Sequence, residues 1–248
     1  MGINLDLIKE RLASLNNEGR NDLWRPTDGK EQTVRISTTP DGDPFKDIHF
    51  HYNLTKQGIV CPKRNFDDVC PICDFASEVW RESQDKGDKN LEKLAKSMFV
   101  RQRFFSPVLV RGEEDKGIRW WGYGKKVYEY LLNLSLNPDY GDITDLHEGT
   151  DLSIKYGKKA GENYPSTELT PRRKPSAFCS DPDGSECAEM LENIPDLFEI
   201  YSRKTTAEVQ AILDEHLNSI GGSDSGSDGG SSDGDVEDKV DKAFGDLL

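Results

Sequence analysis

The stretch from His49 to Cys73 reads His-Phe-His-Tyr-Asn-Leu-Thr-Lys-Gln-Gly-Ile-Val-Cys-Pro-Lys-Arg-Asn-Phe-Asp-Asp-Val-Cys-Pro-Ile-Cys. It holds three of the five cysteines and two of the four histidines of the chain within 25 residues. Cysteine and histidine side chains at this density are the ligands of a closed metal site. The stretch therefore predicts a subdomain held together by a metal ion.

The three cysteines follow the pattern Cys61-x8-Cys70-x2-Cys73. The Cys-x2-Cys spacing lets two sulfurs reach one ion from a single turn, and one more ligand completes a tetrahedral zinc site. His49 and His51 are both candidates, because they share a side-chain parity on a predicted strand. Four protein ligands leave no position for water, so we expect a structural zinc ion coupled to folding. Buried free thiols are the alternative.

A catalytic zinc ion is the second alternative. Nucleobase deaminases bind such an ion with the motifs His-x-Glu and Pro-Cys-x-x-Cys. Here the proline follows Cys70 instead of preceding it, and no glutamate stands two residues after either histidine. The pattern therefore argues against catalysis. The remaining pair, Cys179 and Cys187, is expected to be structural or free.

The net charge of −14 is unevenly distributed. Residues 221–248 hold eight acids and two lysines, mostly among glycines and serines, which predicts a disordered acidic tail. The rest is acidic too, so a nucleic-acid site must be a local basic groove. The lack of a long apolar run, of a signal peptide and of a disulfide framework predicts a cytoplasmic protein without a membrane partner.

The hydrophobic pattern predicts an α+β fold that is mainly β. Alternation predicts strands over residues 32–38, 45–54, 98–110, 117–123 and 150–156, with an irregular loop over 157–175. Helical periodicity predicts helices over residues 3–15, from an N-cap at Asp74 through Trp80, and over 90–97, 125–136, 186–201 and 205–217. A Thr205-x-x-Glu208 capping box opens the last of these helices.

Residues 96–126 carry eight basic residues against three acids, interleaved with six aromatic residues. Single-stranded nucleic acid needs cations for its phosphates and flat rings for its bases, each stacked base contributing about 1–3 kcal/mol. The loop over residues 153–174 adds six basic residues against two acids and is a candidate second wall of the groove. The alternative is that the rings form the core of a sheet, in which every other side chain points inward.

In three features the chain resembles the single-stranded DNA-binding (helix-destabilising) proteins of T-even-like bacteriophages. These features are the pattern Cys61-x8-Cys70-Pro-Ile-Cys73, the segment Gly122-Tyr-Gly-Lys-Lys-Val-Tyr128 after an aromatic strand, and the acidic C-terminus. The resemblance covers residues 30–160. It implies an OB-fold core with an inserted zinc-binding subdomain and peripheral helices.

The resemblance also implies the domain boundaries. Residues 1–20 would be an arm for self-association along DNA, residues 21–220 the DNA-binding core with its zinc subdomain at about 46–97, and residues 221–248 a disordered acidic tail that recruits replication and recombination proteins. The chain departs from the family in a shorter spacing of its first two cysteines. Its arm motif is reduced to Arg11-Leu-Ala-Ser14, which bears on cooperativity and not on the fold.

Carried over residue by residue, the resemblance implies zinc on His51, Cys61, Cys70 and Cys73, with His49 as the runner-up histidine. It implies DNA contacts at Arg101, Arg103, Phe104, Phe105, Trp121 and Lys125. The same basic and aromatic segments add Arg119, Tyr123, Lys126 and Lys158 as candidate contacts.

We therefore interpret the chain as a phage protein that coats single-stranded DNA non-specifically during replication, recombination and repair in the infected bacterial cell, without catalysis. The first alternative is a zinc-ribbon adaptor that binds proteins through helix 205–217 and the tail and has no DNA role. The second is a zinc hydrolase or deaminase.

Overall fold

The structure is a computed structural model that describes residues 22–55, 58–159 and 161–221. The predicted helix and self-association arm within residues 1–20 lie outside the described residues. The acidic tail beyond Gly221 lies outside them as well.

The described chain mixes strands and helices, which confirms the predicted α+β class, although the helices cover more residues than the strands. The strands are β1 (Leu23–Trp24), β2 (Glu31–Ile36), β3 (Lys46–His51), β4 (Ile59–Val60), β5 (Arg101–Val110), β6 (Arg119–Tyr123), β7 (Leu152–Gly157) and β8 (Ser166–Pro171). The helices are α1 (Pro62–Phe66), α2 (Pro71–Lys86), α3 (Lys89–Met98), α4 (Lys125–Ser135), α5 (Ser185–Glu192), α6 (Leu197–Ile200) and α7 (Thr206–Gly221). The OB-fold topology stays a prediction.

Most predicted elements occur within a few residues of their expected positions, and three differ. Strand β8 pairs with β7 inside the stretch 157–175, which was expected to be irregular. Helix α2 begins at Pro71 with Cys70 as its N-cap, and not at Asp74, because proline favours the first helical turn. The predicted helix 186–201 is two helices, α5 and α6, and Pro195 lies in the break between them.

The described chain divides into two compact units, each described below by itself. Unit 1 consists of residues 22–45, Phe105–Gly122 and Lys126–Asp196. Unit 2 consists of Lys46–Phe104, Tyr123–Lys125 and residues 197–221.

Unit 1 is built on strands in the order β1-β6-β5-β2-β7-β8. Strand β1 pairs parallel to β6, whereas β2 pairs antiparallel to both β5 and β7. The alternation in β2 and β7 places Val34, Ile36, Leu152 and Ile154 in the core, where each is almost fully buried. The strand pattern found in the sequence therefore identifies the core face of these two strands.

Unit 1 also contains a disulfide between Cys179 and Cys187. Cys187 is buried on α5 and packs in a cluster with Leu109, Ile118 and Phe178. The pair is therefore structural, and it joins α5 to the segment that follows Phe178.

Arg35 of β2 is a fully buried cation whose donors are satisfied inside unit 1. Its Nε donates to Asp151 Oδ1 at 2.9 Å. Its terminal nitrogens donate to the carbonyl oxygens of Asp145 and Gly149 and to both oxygens of Ser176. Four loop positions are thereby held against β2 by one side chain.

Asp151 balances the charge of two arginines. Arg111 Nη2 also donates to Asp151 Oδ1, at 2.9 Å. Burial acts to raise the pKa of Asp151, but the hydrogen bond and charge of Arg111 and the charge of Arg35 outweigh it. The pKa therefore lies below its ordinary value of 3.8.

We expect Asp151→Asn to lower the free energy of unfolding by about 3–5 kcal/mol, because it leaves Arg35 buried without its counter-charge. Urea denaturation measures this loss. Since the pKa of Asp151 is lowered by folding, its ionic stabilisation is present above the unfolded pKa and is lost as the pH falls through the folded pKa.

The stability difference between the wild type and Asp151→Asn should therefore shrink below about pH 4. Asp139→Asn is the control, because Asp139 is exposed. A difference that stays constant with falling pH would contradict the assignment.

Candidate metal centre and nucleic-acid surface

Unit 2 brings together the four side chains His51, Cys61, Cys70 and Cys73, whose ligand atoms all lie within 4.8 Å of one another. His51 ends β3, Cys61 follows β4, Cys70 caps α2, and Cys73 lies in the first turn of that helix. The two cysteines of the Cys-Pro-Ile-Cys turn therefore face two residues of a β-hairpin. The four residues form a compact potential metal-binding site.

The dimensions of the cluster fit a tetrahedral zinc ion. The Cys61 and Cys73 sulfurs are 3.5 Å apart, and His51 Nε2 lies 3.4 Å from Cys70 Sγ and 3.5 Å from Cys73 Sγ. Zn–S bonds of about 2.3 Å in tetrahedral geometry place the sulfurs about 3.8 Å apart. Three thiolates with one imidazole are a donor set that suits zinc.

The ring of His51 is fixed by its second nitrogen. His51 Nδ1 lies 2.8 Å from the carbonyl oxygen of Met98 and can only donate to it, so Nε2 is left to face the sulfurs. Burial acts to lower the pKa of His51, but hydrogen bonds with Cys61 and Cys70 outweigh it and raise the pKa to about 9. Hydrogen bonds with neighbouring sulfurs also lower the pKa of Cys70. Metal binding needs thiolates and a neutral imidazole, so it releases protons and its affinity rises with pH.

His49 forms hydrogen bonds beside the cluster through its main-chain carbonyl oxygen. Its carbonyl oxygen accepts from Cys61 N at 2.8 Å and from Asn65 Nδ2 at 2.9 Å. Its ring is 3.5 Å from an oxygen of Asp47 and does not join the cluster. Of the two histidines that the sequence left open, the structure places His51 with the three cysteines.

The cluster is packed into the core of unit 2. Cys61 and Cys70 are buried among Ile72, Val209 and Leu213. The last two residues belong to α7, which begins at the predicted capping box, where Thr205 Oγ1 and Glu208 Oε2 are 2.7 Å apart. The apolar face of α7 is thus used inside the unit, which weakens the adaptor alternative that needed this face for a partner.

Half of the residues predicted to contact DNA are buried. These are Phe104, Phe105, Arg119, Trp121 and Tyr123, none more than 6% exposed. Bases stack on accessible ring faces, so the four rings act as core residues in this conformation. The Arg119 side chain donates to Glu113 Oε2 at 2.7 Å, and its charge is thereby matched within the unit. The positions of these five residues do not support a direct DNA contact.

The other five predicted contacts are cations that solvent reaches. Arg101, Lys125, Lys126 and Lys158 are exposed, and Arg103 is half-buried. Lys126 and Lys158 belong to unit 1.

Three of these cations, Arg101, Arg103 and Lys125, belong to unit 2. Burial raises the pKa of Tyr52, while the charge and a side-chain hydrogen bond of Arg103 and the charge of Arg101 act to lower it. The Arg103 guanidinium group lies beside Gly124, because a Cβ added at this glycine would be 3.5 Å from Arg103 Nη1. Lys125 is the next residue in the chain. Unit 2 therefore carries a basic surface, defined here as Arg101, Arg103 and Lys125.

The fold and the site define a protein with a potential metal-binding site of three cysteines and one histidine, and with exposed cations on an acidic chain. The family described as gp32 DNA binding protein like matches residues 30–220. The chain belongs to this gp32-like DNA-binding family, which confirms the resemblance found in the sequence. Curated protein sequences give no match to the chain.

None of the helices in the described part of the chain has the length and hydropathy that a membrane crossing requires.

We expect the wild-type protein to bind one zinc ion and His51→Ala to lose it. Removal of a direct ligand should cost more than the roughly 10–100-fold in affinity that a lost second-layer partner costs. Metal content after dialysis against a weak chelator measures the loss. His49→Ala is the matched control and should keep its zinc, because its ring lies outside the cluster. Zinc retained by His51→Ala and lost by His49→Ala would reverse the assignment.

Proposed function

We propose that this chain is a single-stranded DNA-binding protein that coats exposed strands with little sequence preference. The observation that carries the proposal is the family match, which spans residues 30–220 and includes the metal cluster and the basic surface. Phosphate neutralisation is the main source of affinity in non-specific binding, so exposed cations should dominate the interaction. No catalytic step is assigned to the chain.

The proposal includes one structural zinc ion on His51, Cys61, Cys70 and Cys73. With four protein ligands, such an ion has no open position and contributes folding free energy. The residues themselves set the geometry, because His51 is oriented by Met98 and the sulfurs of Cys70 and Cys73 are held at the start of α2. Zinc would thereby fix the hairpin of β3 and β4 to α2 within unit 2.

The DNA contacts that we propose are the solvent-accessible members of the predicted set. In unit 2 these are the basic surface residues Arg101, Arg103 and Lys125, and in unit 1 they are Lys126 and Lys158. Lys158 lines a cleft with Lys155 and Lys159, although Lys159 is paired with Glu168 there.

The wider role rests on the resemblance. We propose that the protein acts in phage DNA replication, recombination and repair in the infected cell. Residues 1–20 would serve self-association along DNA, and residues 221–248 would recruit replication and recombination proteins.

A titration of fluorescently labelled oligo(dT) at several salt concentrations tests the function. The wild type should bind single-stranded DNA more tightly than duplex DNA, and the logarithm of the binding constant should fall linearly with the logarithm of salt concentration. Absence of oligo(dT) binding at low salt would overturn the proposal and favour the adaptor alternative.

Removal of one phosphate contact should make the salt dependence shallower. Arg101→Ala should weaken binding and reduce the slope by about 0.7, the value expected for each phosphate of a single strand. Arg64→Ala is the matched control, because Arg64 is an exposed arginine of the same unit outside the basic surface. Equal slopes for Arg101→Ala and the wild type would remove Arg101 from the contact set.

A further inference from the structure

Unit 2 carries an aromatic pair at its surface that consists of Trp80 and Phe99. The ring centroids are 5.6 Å apart and the planes are inclined at 55°. Phe99 is 37% exposed and Trp80 is half-buried. Because this pair is open to solvent, a ligand can reach the face of a ring. The buried rings of the strands do not allow this.

The helices α2 and α3 hold the pair in place. Trp80 lies seven residues after Cys73, close to two helical turns, so both residues project from nearly the same face of α2. Helix α2 ends at Lys86 and is followed by the C-cap Gly87, whose φ of 65° suits glycine. The Asp88 side chain caps α3 by accepting from the backbone N–H groups of Asn90 and Leu91. Phe99 directly follows α3. The pair is thus positioned by a helical hairpin that begins at the metal cluster.

A lysine of α3 lies beside the pair. Helix α3 carries three lysines and one glutamate. Lys96 Nζ lies 5.7 Å from the centroid of the Trp80 ring and is paired with Glu92 at 2.6 Å. The Lys96 side chain is 58% exposed, so its tip can move to a nearby anion without unburying anything. An accessible ring beside an exposed cation suits one nucleotide, with the base on the ring and the phosphate on the ammonium group.

We infer that Trp80 and Phe99 form a nucleobase-stacking site, in which a base packs against the exposed face of Phe99 and Lys96 contacts a neighbouring phosphate. The inference rests on the proposed function and adds a site distinct from the strand rings named in the sequence. It identifies the ligand as an unpaired base, because a base in a duplex has both faces covered by its neighbours and cannot reach the pair.

Tryptophan fluorescence tests the site, because Trp80 is the one tryptophan of four that is not buried. Trp24, Trp120 and Trp121 are 4%, 4% and 1% exposed. Oligo(dT) should quench the wild-type emission, and Trp80→Phe should lose most of that quenching while still binding labelled oligo(dT) by anisotropy. Trp120→Phe is the control and should be quenched like the wild type.

Affinity provides a second measurement. Phe99→Ala should bind labelled oligo(dT) about tenfold more weakly, within the range expected for loss of one stacked base. Phe99→Tyr keeps a ring and should restore binding to near the wild-type level. Phe198→Ala is the matched control, because Phe198 is also a partly exposed ring of unit 2, at 42%, that packs on another aromatic ring, Phe66.

The outcomes separate this inference from the function on which it rests. If all variants bind labelled oligo(dT) like the wild type and Trp80→Phe is still quenched fully, the stacking site is wrong and the DNA-binding function stands. If the wild type does not bind labelled oligo(dT), both are wrong. If Phe99→Ala and Phe198→Ala lose affinity equally, the effect is general destabilisation and the stacking site is wrong.

Discussion

The convergence of three sulfurs and one imidazole nitrogen, all within 4.8 Å, is the constraint on which unit 2 depends. The four ligands come from three local structures, namely the end of β3, the residue after β4, and the start of α2, which supplies both Cys70 and Cys73. Like groups this close repel one another when ionised, so a cation that binds all four adds directly to folding stability. Helix α2 begins at this cluster, Trp80 lies about two turns along that helix, and α7 packs against Cys61 and Cys70.

The cysteines of the cluster were predictable because their signal is local, whereas the choice of His51 over His49 came from the resemblance and not from the strand pattern. The spacing of Cys70 and Cys73 is enough to predict a shared ion. Strand parity cannot separate His49 from His51, since that choice depends on the carbonyl of Met98, far along the chain. Buried Arg35 is a similar case. Its position in an alternating strand does not predict its ion pair with Asp151, which lies 116 residues further along the chain.

Ring exposure was the least predictable feature of the nucleic-acid surface. Alternation indicates that neighbouring residues face opposite sides, but not whether both sides are covered. In β5 the last seven residues are all buried, so Phe104 and Phe105 are core residues on either face. Phe99 lies between the end of α3 and the start of β5, outside any strand, and its ring remains accessible. DNA affinity is therefore expected to depend on exposed cations and on the surface pair.

The central claim is that the metal centre holds the DNA-binding surface of unit 2 in its working form. The most direct measurement is the affinity for labelled oligo(dT) of one sample before zinc removal, after removal by a chelator, and after zinc is restored. We predict that affinity falls on removal and returns with zinc, as the helical hairpin and basic surface lose and regain their fixed positions. Unchanged affinity in the zinc-free protein would contradict the account.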